Sequence, residues 1–133
     1  MPELPDVEAI RRDVQRGVAG RTIQRVRAPD EQMLRGRSTA SVGRQMNAAR
    51  ISEAHRHGKC LFLVSRDRNR HLAFHFGMTG AVRLRAEGEP RPDGVRFEIE
   101  LSGGGSLLIL SQRRLGFVAL VRSVASFVES RGW

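Results

Sequence analysis

The chain has little with which to staple itself or to cross a membrane. Its one cysteine in 133 residues, Cys60, excludes an internal disulfide framework and any multi-cysteine zinc site built from this chain alone. A cysteine in that apolar setting is expected to be a buried or half-buried strand residue. No apolar run approaches the roughly 20 residues that a membrane span needs, and the acidic opening MPELPD does not resemble a signal peptide. The expectation is a cytoplasmic protein in a reducing compartment. Repeats, low-complexity tracts and internal linkers are also lacking, and 40% hydrophobic content over this length fits one compact domain, residues 1–133, rather than two cores.

Lysine is the other scarcity. Lys and Arg together number 23 against 14 Asp and Glu, for a formal charge of +9, yet Lys59 is the only lysine. Arginine presents a planar fork of donors suited to phosphate oxygens, so the excess points first to a polyanionic partner such as nucleic acid. Composition does not separate DNA from RNA or an anionic membrane. The placement of the charges has to do that.

From Asp6 to Ala19 the residues Val7, Ile10, Val14 and Val18 recur at spacings of three and four, the stripe of an amphipathic helix. Pro5 and Asp6 suit its start and Gly20 its end, while Arg11, Arg12 and Arg16 fall on the opposite, solvated face. The period then changes to two, most clearly in Val95-Arg96-Phe97-Glu98-Ile99-Glu100-Leu101, which reads as a strand with one wet face. Further strands are expected at 22–27, 50–56, 60–65, 71–76, 81–85, 107–111 and 117–122. Turns are expected at 77–80, 88–94 and 102–106, the last through Gly103-Gly104-Gly105. Residues 38–46 suggest a helical turn, and Val124, Phe127 and Val128 one face of a short closing helix. About eight strands joined by hairpin-like turns imply antiparallel sheets, packed as a sandwich or a barrel, behind one helix.

Four short segments carry candidate chemistry. Proline at position 2 leaves a secondary amine at the terminus once Met1 is removed. An α-amino group titrates near about 7.7–8.0, so part of it is unprotonated and nucleophilic at neutral pH. Such an amine attacking a sugar carbon forms an iminium, an electron sink, and Glu3 and Asp6 are carboxylates close by for proton transfer. In His57-Gly58-Lys59, glycine allows a tight bend and lysine presents a point charge to a phosphate. In His75-Phe76-Gly77-Met78-Thr79-Gly80, a glycine-flanked tip presents a methionine able to wedge into a base stack. Gln112-Arg113-Arg114-Leu115-Gly116 is a basic loop in which Arg113 can reach an orphaned base or a phosphate and Leu115 can act as a second wedge. Each segment alone has a plainer structural reading: a helix-start carboxylate, a solvated hairpin, a core methionine, a basic turn.

Taken together, PELPDVEAIRR, HGK at 57–59, HFGMTG at 75–80 and QRRLG at 112–116 resemble the formamidopyrimidine-DNA glycosylase and endonuclease VIII family, nearer its formamidopyrimidine branch. The resemblance implies the amino-terminal catalytic domain, mainly β with an N-terminal helix, folded as an eight-stranded antiparallel β-sandwich. It implies base-excision repair of oxidised bases extruded from double-stranded DNA, with lyase activity at abasic sites and Pro2 forming a Schiff base with C1′. Glu3 and Asp6 would assist at the sugar, and Lys59 would join this catalytic group. Lys59 and His75 match phosphate-contacting positions, and Met78, Arg113 and Leu115 match residues that fill the void and contact the orphaned base. Asp6 stands where the family has glutamate, Leu115 where this branch has phenylalanine and Gln112 where proline is frequent.

Members of this type continue into a helix-two-turns-helix domain and usually a four-cysteine zinc finger. This sequence contains neither, and reads as a separated domain or a reduced relative, monomeric, with no metal or other cofactor of its own. The alternative function is a non-catalytic DNA-binding or damage-sensing module that keeps the fold without the second domain.

Overall fold

The computed structural model describes residues 4–29, 31–34, 37–67, 69–75, 81–111 and 116–132, the side chains of Leu4, Pro5 and Glu31 excepted. Helix α1 (Leu4–Val18) is followed by β1 (Ile23–Arg27), a 3-10 turn (Glu31–Leu34) and α2 (Thr39–Met46). Strands β2 (Ile51–His57), β3 (Cys60–Ser65), β4 (His71–His75), β5 (Ala81–Arg85), β6 (Val95–Leu101), β7 (Ser106–Leu110) and β8 (Phe117–Val121) come next, and α3 (Val124–Ser130) closes the chain. The strands form two four-stranded antiparallel sheets in the orders β1-β6-β7-β5 and β2-β3-β4-β8. The eight-stranded sandwich is therefore the fold.

Between the sheets lie Phe74, Phe97, Leu61, Leu63, Leu72, Ile99, Leu101 and Leu107, all essentially without solvent exposure. Alternation along each strand places these residues inward. Helix α1 joins the same core through Val7, Val14 and Val18, with Ile10 partly buried, as the stripe predicts. Burial of each such valine contributes about 2 kcal/mol. The helix begins by Leu4, earlier than Asp6, and ends at Val18, after which Gly20 takes a φ of +81° that a side chain would resist. Ser38 caps α2 by accepting from the Ser41 amide, and Val42 and Met46 anchor the helix in the core. It is a full two-turn helix rather than a single turn. The 3-10 turn at 31–34, which buries Met33 and Leu34, is not anticipated by periodicity because four residues are too few to show one.

The wet face expected on β6 is largely closed. Glu98 is only 1% exposed. Its carboxylate accepts from Arg91 Nε (2.7 Å) and Ser106 Oγ (2.7 Å), with Arg85 Nε at 3.6 Å. Burial pushes this carboxyl upward, but the bonds from Arg91 and Ser106 and the charges of Arg91 and Arg85 outweigh it and hold the group below the usual glutamate range. Among the described residues no helix is long and apolar enough to cross a membrane.

Candidate nucleic-acid interface

The orientation of α1 builds the site. Gly20 N–H donates to the Ile51 carbonyl (2.7 Å), Ala54 N–H to Gln15 Oε1 (2.6 Å), Arg11 Nη1 to the Ala54 carbonyl (3.4 Å) and Arg56 Nε to Glu8 Oε1 (3.0 Å). These four links pair later helix residues with earlier strand residues, so α1 runs antiparallel to β2. Its amino end is thereby brought to the end of β2 where the chain turns through Gly58 and Lys59.

Glu8 and Arg56 make that junction. The Glu8 carboxylate accepts from Arg11, Arg12 and Arg56, and the bonds from Arg11 first and Arg56 second hold its pKa down at about 2. Arg56 Nη1 also donates to the Gly58 carbonyl (3.1 Å), so the first turns of α1 are tied to the Lys59 hairpin through one guanidinium. Arg11, expected on a solvated face, is half-buried in this network, because β2 lies alongside that part of the helix.

The hairpin has two loop residues, with His57 paired to Cys60. Gly58, at the first loop position, has φ +57°, as a tight hairpin requires there. Lys59 is half-buried at the turn. From it a single row crosses the sheet: His57 on β2 opposes Cys60 on β3, Cys60 opposes His75 on β4, and His75 opposes Phe117 on β8. The row lies at the end where β4 finishes and β8 begins. Lys59 and His75 thus line one cleft of about 330 Å³ with His57, Gly58 and Cys60. Among the described residues no carboxylate lines it, and Lys59 brings to it a charge able to meet an anion.

His75 is held by its neighbour: its ring stacks on Phe117 with centroids 5.4 Å apart and 12° between planes. Cys60, in the middle of the row, is buried as expected, and burial pushes its thiol up to about 12. All four histidines sit on the outer face of this sheet, His55 against Phe62 and His71 in a second cleft beside α3.

Asp6 lies in the first turn of α1 and is exposed. Pro2, Glu3, Met78, Arg113 and Leu115 lie outside the described residues. Arg56 and Phe117 are site residues outside the sequence motifs, and Glu8 lies inside PELPDVEAIRR without a role read for it there. Arg56 stands directly before His57-Gly58-Lys59, a proximity that could have marked it, whereas Phe117 needs the β4–β8 register. Among the described residues no group of three or more His, Cys, Asp or Glu side chains could hold a metal ion.

The sequence matches the formamidopyrimidine-DNA glycosylase N-terminal domain over residues 1–118. It is 36% identical over 118 residues to the formamidopyrimidine-DNA glycosylase of Mycobacterium avium, covering 87% of this chain and 41% of that protein. It is 33% identical over 122 residues to the enzyme of Rhodococcus jostii, covering 90% and 42%. The chain therefore spans less than half the length of these relatives. Among solved structures, Lactococcus lactis Fpg in complex with FAPY-dG-containing DNA superposes with a TM-score of 0.87 at 23% identity, over 98% of this chain and 48% of that one. MutM in complex with carbocyclic 8-oxo-G-containing DNA gives 0.89 at 25% identity, over 98% and 49%. By sequence and by fold, the chain belongs to the formamidopyrimidine-DNA glycosylase N-terminal domain family.

Proposed function

We propose that this chain is the catalytic domain, residues 1–133, of a DNA base-excision repair glycosylase with abasic-site lyase activity. The observation that carries the proposal is the tie from Glu8 through Arg56 to the Gly58 carbonyl, which brings the amino end of α1 to the cleft of Lys59 and His75. Schiff-base chemistry at residue 2 requires groups able to hold the phosphates of the same nucleotide near that end of α1, and Lys59 and His75 are such groups.

The Pro2 nitrogen, unprotonated, attacks C1′ of an extruded nucleotide; the N–C1′ bond forms and the glycosidic bond breaks, the base leaving with a proton. Glu3 moves protons to and from the opening sugar, assisted by Asp6. The nitrogen lone pair then expels O4′, which takes up a proton as the ring opens and leaves a C1′ iminium; loss of a C2′ proton lets the 3′ phosphate leave, and a second elimination expels the 5′ phosphate. Lys59 and His75 hold phosphates, and Met78, Arg113 and Leu115 fill the gap in the duplex and face the orphaned base. The domain works as a monomer in the cytoplasm at the nucleoid, on double-stranded DNA carrying oxidised bases or abasic sites, without a cofactor of its own.

The test is borohydride trapping on an abasic-site duplex, with intact mass first showing loss of Met1. A covalent adduct is expected, weakened by Pro2→Gly and abolished when Met1 is retained. Salt-sensitive duplex binding without any adduct at saturating DNA would replace this reading with the non-catalytic damage-sensing module.

A further inference from the structure

The family match ends at residue 118, and α3 lies beyond it. The helix covers the outer face of the β2-β3-β4-β8 sheet: Val124, Phe127 and Val128 pack against Cys60, Phe62, Val64, Ala73 and Val121. Phe127 meets Phe62 edge to face at 5.9 Å, and Ser123 caps the helix by accepting from the Ser126 amide. At the far end, Arg131 places its guanidinium 4.9 Å from the centroid of Phe117 and 5.0 Å from that of Phe127.

Phe117 is the ring on which His75 stacks, so the Arg131 cation and the His75 imidazole contact the same aromatic ring. The charge of Arg131 also reaches the Cys60 thiol in the middle of the row and favours its ionised form. Contact with ring faces orients a guanidinium without neutralising it and leaves N–H groups at its edge for an anion. Arg11, Arg70 and Arg91 are each paired with a carboxylate, whereas among the described residues none pairs with Arg131.

We infer that Arg131 is an additional phosphate-binding residue of this chain, taking the backbone phosphate next to the one held by Lys59 and His75. The inference rests on the reading of Lys59 and His75 as phosphate contacts. It assigns α3, a segment outside the matched family domain, a second task besides covering the sheet. A charge supplied there extends the cationic row from the Lys59 turn towards β8 along the path of one DNA strand.

The experiment is titration of an abasic-site-analogue duplex over a series of salt concentrations, for the native chain, Arg131→Gln and Arg131→Lys. Loss of one phosphate contact is expected to lower the slope of log K against log salt by about 0.9, and to weaken binding about five-fold at 0.15 M salt, for Arg131→Gln. Arg131→Lys is expected to keep the native slope. Arg131→Met, which preserves the apolar stem against the rings, should lose the same slope increment and stands in if the glutamine variant unfolds. A native slope in Arg131→Gln or Arg131→Met, with duplex binding intact, overturns this inference and leaves the proposed function standing. Absence of salt-dependent duplex binding by the native chain removes both.

Discussion

The outer faces of the two sheets both carry arginine, and they differ in what stands opposite. On the β1-β6-β7-β5 sheet the cations meet carboxylates: Arg25 lies opposite Glu100, and Arg85 and Arg91 converge on buried Glu98. On the β2-β3-β4-β8 sheet the row from His57 to Phe117 is overlaid by Lys59 and Arg131, and among the described residues rings and a thiol line it. A buried carboxylate converts an arginine into a structural strut, because the pair satisfies itself and has nothing to offer a ligand. An aromatic support leaves the charge directed outward. The composition counts these arginines alike. Their partners separate them.

The contrast can be broken most forcefully at Glu98. Glu98→Ala strands Arg85 and Arg91 beside an apolar site, and should cost about 3 kcal/mol in urea unfolding while leaving the salt dependence of duplex binding unchanged. A stability within about 0.5 kcal/mol of native would show that this face is no strut. On the other face the expectation reverses. Lys59→Gln should weaken duplex binding about five-fold at 0.15 M salt, with a correspondingly shallower salt slope. Unchanged binding would remove Lys59 from the phosphate contacts.

The smallest effect is expected from acid at the junction between helix and hairpin. The folded pKa of Glu8 is about 2 against an ordinary 4.5, so its stabilising contribution is present above pH 4.5 and is lost as the pH falls towards 2. Glu8→Gln should therefore flatten the acid limb of a stability profile in that window. A limb as steep as native would mean that the Arg11 and Arg56 contacts do not hold the carboxylate ionised.

Much of the architecture was legible in the sequence, because α1 and β6 place apolar residues at the period of their own backbone. Val7, Val14 and Val18 needed only a spacing rule, and the alternation of β6 located Phe97, Ile99 and Leu101 inside. The same alternation misjudged Glu98, since Arg85, Arg91 and Ser106, which close over it, come from other elements. At the site, Lys59 and His75 were legible as motif residues, although the cleft between them depends on the β3–β4 register. Arg56 binds Glu8 across 48 positions of chain, and Arg131 reaches Phe117 from a helix that no motif marks. Contacts of that range are set by how whole elements pack, which local patterns do not encode.

Cys60 has a chemical consequence of its own. The oxidants that damage bases also attack thiolates, converting them to sulfenic and then irreversibly to sulfinic acid. A thiol held at about 12 and shielded between β2 and β4 is almost wholly protonated at neutral pH, and so is a poor target. The sulfur that lines the cleft of Lys59 and His75 is thereby kept chemically silent towards such oxidants.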